Sequence, residues 1–187
     1  MSTVFIIHGI GGSPQENWFP WMKKEIEKEG HRVIVPEFPN SDAPNLDEWM
    51  EHMKKYEDSI DEETVFIGHS LGGMFILRLL EQMQKPIKAT FLVATVTGPS
   101  DGLELAPRMT TFTTPPLDEE LIKKNGGTIH MLHADNDPYI VLKNAEHLAE
   151  KLGATLELIK DGGHLNTSAG YAMFPLLLEN LKKLEVD

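Results

Sequence analysis

The sequence predicts a three-layer α/β/α domain built on a six-stranded, mostly parallel sheet. Three observations carry that expectation. Short, nearly unbroken apolar runs recur along the chain, as in Val4-Phe5-Ile6-Ile7 and Ala89-Thr90-Phe91-Leu92-Val93. Runs of that kind, without polar alternation, suit strands buried on both faces of a parallel sheet. Between them lie stretches whose apolar residues recur at helical spacing. Strand and helix alternate to the end with no repeat, low-complexity tract or linker, and the 187 residues are expected to form a single domain.

Taken in order, residues 4–8 form the first strand and a glycine-rich loop, 8–14, follows. Residues 17–29 read as a helix, with Trp18, Trp21, Met22 and Ile26 as its apolar stripe and Gly30 as its stop. A second strand, 32–35, leads through the Pro- and Asn-rich loop 36–45 to a helix over 46–60, where Leu46, Trp49, Met50, Met53 and Tyr56 share a face. The third strand spans 64–67 and its helix 70–84; the fourth strand spans 89–94. The stretch 95–116 is rich in Thr, Pro and Gly and is expected to be a long loop, either a binding loop or a plain connector. A short helix, 117–124, precedes the fifth strand, 128–133; a helix over 141–151 precedes the sixth, 155–159. The loop 161–167 then enters a closing helix, 168–184, bent or delayed at Pro175.

Charge and composition narrow the function. There are 17 basic and 29 acidic residues, a formal charge of −12. Such a surface repels polyanions, so neither nucleic acid nor an anionic membrane is an expected partner. The absence of cysteine rules out disulfides, a thiolate nucleophile and cysteine-ligated zinc, and fits a cytoplasmic protein. The opening apolar run lacks basic residues and falls far short of the ~18 residues of a membrane span, so it reads as a strand rather than a signal or anchor.

The chemistry centres on Gly68-His69-Ser70-Leu71-Gly72, between the third strand and its helix. This is the G-x-S-x-G pattern of a nucleophile elbow, in which a serine sits at the tip of a strained strand-to-helix turn and its near neighbours must be small. About one chain in twenty of this length would carry the pattern by chance, so the flanking elements and partner residues decide its meaning. In a parallel sheet, active residues lie beyond the carboxyl ends of strands. His164 meets that requirement, in the loop Asp161-Gly162-Gly163-His164 after the sixth strand. The other histidines do not: His52 and His147 lie on helices, His31 at a strand start, His130 and His133 on opposite faces of the fifth strand, and His69 too close to its neighbour's hydroxyl. The acid is expected after the fifth strand, in Asp135-Asn136-Asp137-Pro138-Tyr139-Ile140. Asp137, further out, is favoured; Asp135 reads as a turn residue binding its own backbone, and Asp161 lies too near His164 in sequence. Calcium is disfavoured because the run lacks the glycine and closing glutamate of a calcium loop. Two backbone donors would hold an oxyanion: Leu71 N–H, and the loop after the first strand at Gly9-Ile10. That loop's glycines lack the spacing of a dinucleotide fingerprint, and the second strand does not close on an acidic residue.

The chain order Ser70, Asp137, His164 is that of α/β-hydrolases. With Val4-Phe5-Ile6-Ile7-His8-Gly9, Trp18-Phe19-Pro20-Trp21, Asp135-Asn136-Asp137-Pro138 and Gly162-Gly163-His164, the chain resembles the retinoblastoma-binding-protein-nine-like small serine hydrolases over nearly its whole length. The resemblance implies a reduced α/β-hydrolase core without a large cap, and a triad of Ser70, Asp137 and His164. The expected activity is a carboxylesterase acting on small-molecule acyl substrates with no metal or cofactor. A peptidase or acyltransferase would share the triad, and an interaction module on the same fold would turn over little. Trp18, Met109 and Phe112 are candidate pocket residues, with an ordinary core or surface position as the alternative for each. Activity is expected to rise with pH through the ordinary histidine range, about 6.5, as His164 gives up its proton.

Overall fold

The computed structural model describes residues 1–98 and 106–184. Six strands form one sheet: β1 (Thr3–Ile7), β2 (Arg32–Ile34), β3 (Val65–His69), β4 (Ala89–Val93), β5 (Thr128–Ala134) and β6 (Thr155–Ile159). Their spatial order is β2-β1-β3-β4-β5-β6, and every neighbouring pair is parallel. β3 is therefore central, with Gly68 level with Ile7 on one side and Leu92 on the other.

Alternate residues of each strand feed two separate cores, as a period of two requires. Val4, Ile6, Ile67 and Phe91 pack with Trp18, Phe19, Met22, Ile26 and Leu177, which belong to α1 (Phe19–Lys28), its N-cap and α7 (Pro175–Lys183). Phe5, Ile7, Phe66 and Leu92 pack on the other face with α2 (Leu46–Met53), α3 (Leu71–Gln82), α5 (Glu119–Asn125) and α6 (Leu142–Leu152). α3 is buried along most of its length, which suits a helix lying over the middle of the sheet. Its last turn is closed from α5: the buried Asn125 side-chain amide donates to the carbonyls of Leu80 (2.8 Å) and Met83 (2.9 Å). Terminal carbonyls of a helix have no partner within it, so this contact meets a standing need.

Two expected elements differ. The stretch 95–116 is not a loop throughout: Ala106–Thr113 forms a helix, α4, while 99–105 lies outside the described residues. Threonine-rich sequence is a poor helix former, but Met109 and Phe112 are buried in the core, and packing outweighs propensity. Thr113 and Thr114 bond back to the carbonyls of Met109 and Thr110, four residues earlier, rather than competing with the helix. The helix expected over 46–60 tightens into a 3-10 turn from Lys54 to Ser59. The closing helix begins at Pro175, the delayed start that the sequence offered as one alternative.

Candidate active site

Ser70, Asp137, His164 and the Gly9–Ile10 peptide lie on loops leaving the carboxyl ends of strands. Ser70 follows directly on β3 with φ 55° and ψ −121°, a strained conformation for a residue with a side chain. The turn is fixed on both sides: Ser70 N–H donates to Val93 O (2.9 Å), and Ser70 O accepts from Gly73 N–H (3.1 Å) and Val96 N–H (3.2 Å). The glycines make this turn sterically feasible. A Cβ on Gly68 would fall 2.6 Å from the Gly73 backbone, and one on Gly72 would fall 2.3 Å from Ile7 O. Leu71 opens α3, where backbone N–H groups have no acceptor within the helix.

The loop after β1 closes on the other side of the serine. A Cβ on Gly9 would lie 2.9 Å from Ser70 Cβ and 3.4 Å from its Oγ. His8, fully buried, fixes this loop. Its Nε2 accepts from Phe38 N–H (3.2 Å), so its Nδ1 carries the proton and donates to Gly9 O (2.9 Å). Gly12 N–H also donates to Gly9 O, at 3.2 Å. In a trans peptide the carbonyl and the next N–H point oppositely. Holding Gly9 O this way turns Ile10 N–H to the reverse side, and Ile10 borders the cleft that contains Ser70. Burial, against smaller opposing influences, pushes the His8 pKa below the usual histidine range, which keeps this ring neutral.

His164 is nearly buried and donates from Nδ1 to Asp137 Oδ2 at 2.9 Å. With Nδ1 committed as donor, Nε2 is the acceptor nitrogen of the neutral ring. The second carboxylate oxygen, Oδ1, accepts from Tyr139 N–H (2.8 Å) and Ile140 N–H (3.1 Å). Burial pushes the Asp137 pKa up, but the hydrogen bond and charge of His164 and the two backbone donors outweigh it, leaving the carboxyl below its ordinary range. Asp137 is thus the residue that binds its own turn. Asp135, read from sequence in that role, reaches instead across to Asp161 N–H at 2.8 Å.

The His69 ring packs in the aromatic layer under α1, its centroid 6.1 Å from that of Phe19 and 4.9 Å from that of His164. Its Nε2–H donates to His164 O at 2.9 Å. Full burial, with the neighbouring His164 charge second, lowers its pKa to about 3. Two of the three expected pocket residues lie elsewhere. Trp18 is fully buried and donates from Nε1 to Leu165 O (3.1 Å), supporting the His164 loop from beneath. Phe112 is buried edge-on against Trp49, with centroids 5.2 Å apart. Both were drawn inward because large aromatic rings gain most from the core. Met109 does border the cleft.

The cleft measures about 730 Å³ and holds Gly9, Ile10, Ser70 and His164 among its walls. Sequence reasoning missed Tyr139, whose exposed ring stands edge-on to the His164 ring at 4.9 Å, and a polar rim on the loops after β1 and β6. The rim is tied together by Asn17 Oδ1, which accepts from the Thr167 amide (3.0 Å) and hydroxyl (3.2 Å). Glu16 also lines it, and burial, against a hydrogen bond from the Ser13 backbone, pushes its carboxyl above the usual range. Among the described residues no group of three or more His, Asp or Glu is placed to hold a metal ion. No helix among them is long and apolar enough to cross a membrane.

The profile of the serine hydrolase family matches residues 4–183. The chain belongs to that family. This serine hydrolase is 28% identical over 180 residues to the YdeN protein of Bacillus subtilis, covering 95% of this chain and 93% of that one. It is also 28% identical over 166 residues to the serine hydrolase RBBP9 of Rattus norvegicus, covering 87% of each. The crystal structure of the ydeN gene product superposes with a TM-score of 0.93 at 26% identity, over the full length of both chains. A more distant structure, from a study of carboxylesterases of Nitrososphaera gargenis, shares the fold at TM-score 0.78 and 13% identity, over 100% of this chain and 92% of the other.

Proposed function

We propose that this serine hydrolase cleaves small carboxylic esters through Ser70, His164 and Asp137. The observation that carries the reading is the 2.9 Å bond from His164 Nδ1 to the buried Asp137 carboxylate, at the edge of the cleft that holds the strained Ser70. The Ser70 hydroxyl attacks the ester carbonyl while His164 Nε2 takes its proton. Asp137 fixes the tautomer and stabilises the imidazolium without itself taking the proton. Collapse of the tetrahedral intermediate transfers that proton to the leaving alkoxide and leaves an acyl-Ser70 ester. Water, deprotonated by His164, then releases the carboxylic acid and restores Ser70. Leu71 N–H and Ile10 N–H stabilise the oxyanion of both intermediates. The cleft volume of about 730 Å³ suits a small ester, and the fold shared with the carboxylesterase structure supports the same class.

A fluorophosphonate probe and a panel of short-chain nitrophenyl esters and peptide amides test the reading. Wild type should label and should hydrolyse esters ahead of amides. Ser70→Ala should abolish labelling, and Asp137→Asn should lower kcat by about 10⁴-fold. A wild-type protein that resists the probe while a control esterase reacts would point to an interaction module. Amide turnover exceeding ester turnover would make it a peptidase.

A further inference from the structure

Asp137 does not act alone on the loop that carries His164. The three consecutive side chains of Asp135, Asn136 and Asp137 each bind that loop at a different point. Asp135 Oδ1 accepts from Asp161 N–H (2.8 Å), Asn136 Oδ1 from Gly163 N–H (2.7 Å), and Asp137 Oδ2 from His164 Nδ1–H (2.9 Å). The two loops are already in register below this point, because Asp135 N–H donates to Ile159 O (3.1 Å) and extends the β5–β6 pairing by one bond.

The loop needs such support. Its backbone enters the left-handed region at every second residue: Asp161 (φ 55°), Gly163 (φ 57°) and Leu165 (φ 49°). Only one of these is glycine, and a left-handed conformation is unfavourable for the other two. Each of the first two left-handed residues has its N–H held by one side chain of the 135–136 pair, and the carbonyl of the third accepts from Trp18. His164 sits between the second and third of these points.

We propose that Asp135 and Asn136 are positioning residues for His164. Asp137 sets the tautomer and the plane of the ring; Asp135 and Asn136 set the height and tilt of the backbone from which the ring projects. The inference rests on the reading of His164 as general base. Misplacing a catalytic group by a fraction of an ångström weakens the chemical step more than substrate binding, since the ester is held by the cleft walls.

The test compares Asp135→Ala and Asn136→Ala with Asp135→Asn and Asn136→Asp, which keep an acceptor oxygen at the same place. On a short-chain nitrophenyl ester, at the pH where each protein is most active, each alanine variant should lose about tenfold in kcat. KM should stay within about twofold, and the conservative variants should keep most of the wild-type kcat. The Nδ1–H proton of His164, followed by NMR, should move upfield and exchange faster with water in the alanine variants, because a looser pair with Asp137 weakens that hydrogen bond. Alanine variants with wild-type kcat and an unmoved His164 Nδ1–H resonance overturn the proposal. So do conservative variants no better than alanine, or losses that merely follow the folded fraction in thermal melts. The NMR signal needs no turnover, and Ser70→Ala separately reports on the triad, so failure of one reading is distinguishable from failure of the other.

Discussion

At the scale of single residues, His8 shows how much of an active site rests on groups that never touch substrate. Its ring spans from Phe38 N–H to Gly9 O and can do so only as the neutral Nδ1–H tautomer. The peptide it aims, Gly9–Ile10, supplies one of the two proposed oxyanion donors. Replacing His8 with Phe keeps the aromatic contacts to Phe38 and Trp49 but leaves Gly9 O held by Gly12 N–H without the ring and takes the acceptor from Phe38 N–H. We expect kcat to fall by up to about 10²-fold with a smaller change in KM, as for loss of part of an oxyanion hole. Stopped-flow acylation with a nitrophenyl ester measures this, and an acylation rate equal to wild type would remove His8 from the site. His8 was legible in sequence only as part of a His-Gly pair. Ser70, Asp137 and His164 stood out because each follows a strand and the elbow's glycine spacing is a local steric requirement. The roles of Asn17, Asp135 and Asn136 were not legible. Their partners lie 26 to 150 positions away, and a side chain that bonds its own turn looks the same in sequence as one that bonds a neighbouring loop.

At the scale of elements, the helices that sequence read well are those with long apolar stripes and caps. α2 starts at Asn45, whose side chain accepts from Asp47 N–H (2.9 Å) and Glu48 N–H (3.3 Å), and α6 ends at the left-handed Gly153. α4 has neither signal and exists through tertiary contacts. Arg78, buried on α3, is the chief of these. It donates from Nε to Phe112 O (2.7 Å), from Nη2 to Pro115 O, and from Nη1 to Glu81, while Glu81 Oε1 accepts from Asp118 N–H (2.6 Å). One guanidinium thus joins the end of α4 to the start of α5. Nothing in the residues around position 78 discloses this, because an arginine on a helix is usually a solvated charge. Arg78→Met would fill much of the volume but strand the buried Phe112 carbonyl, free the part-buried Pro115 carbonyl and leave Glu81 with Asp118 N–H as its remaining partner. Urea unfolding should show a loss of about 2–4 kcal/mol. Because Met109 lines the cleft from α4, KM should rise as well. A stability change under about 0.5 kcal/mol would mean that α4 is held by its apolar residues alone.

At the scale of the whole molecule, the buried histidines set how stability depends on pH. His69 has its pKa lowered to about 3 by burial and the His164 charge, while in the unfolded chain it titrates near 6.5. Between those values the unfolded state binds a proton that the folded state refuses, so stability falls as pH drops below 6.5. The slope for one such group is roughly 1.4 kcal/mol per pH unit. His8 is shifted in the same direction and adds to it. Asp137 contributes nothing in this window, since its lowered pKa matters only below the ordinary carboxylate range. The formal charge of −12 acts the other way, because protonating surface carboxylates relieves self-repulsion, but most of that relief comes nearer pH 4. The histidines therefore dominate from pH 6.5 to 5. His69→Gln retains a donor for His164 O and removes the titration. Its unfolding free energy should be flatter than wild type by roughly 0.7 kcal/mol per pH unit at pH 6.5, rising toward roughly 1.4 at pH 5. Parallel pH slopes for the two proteins would mean that His69 opens to solvent and takes up its proton without unfolding.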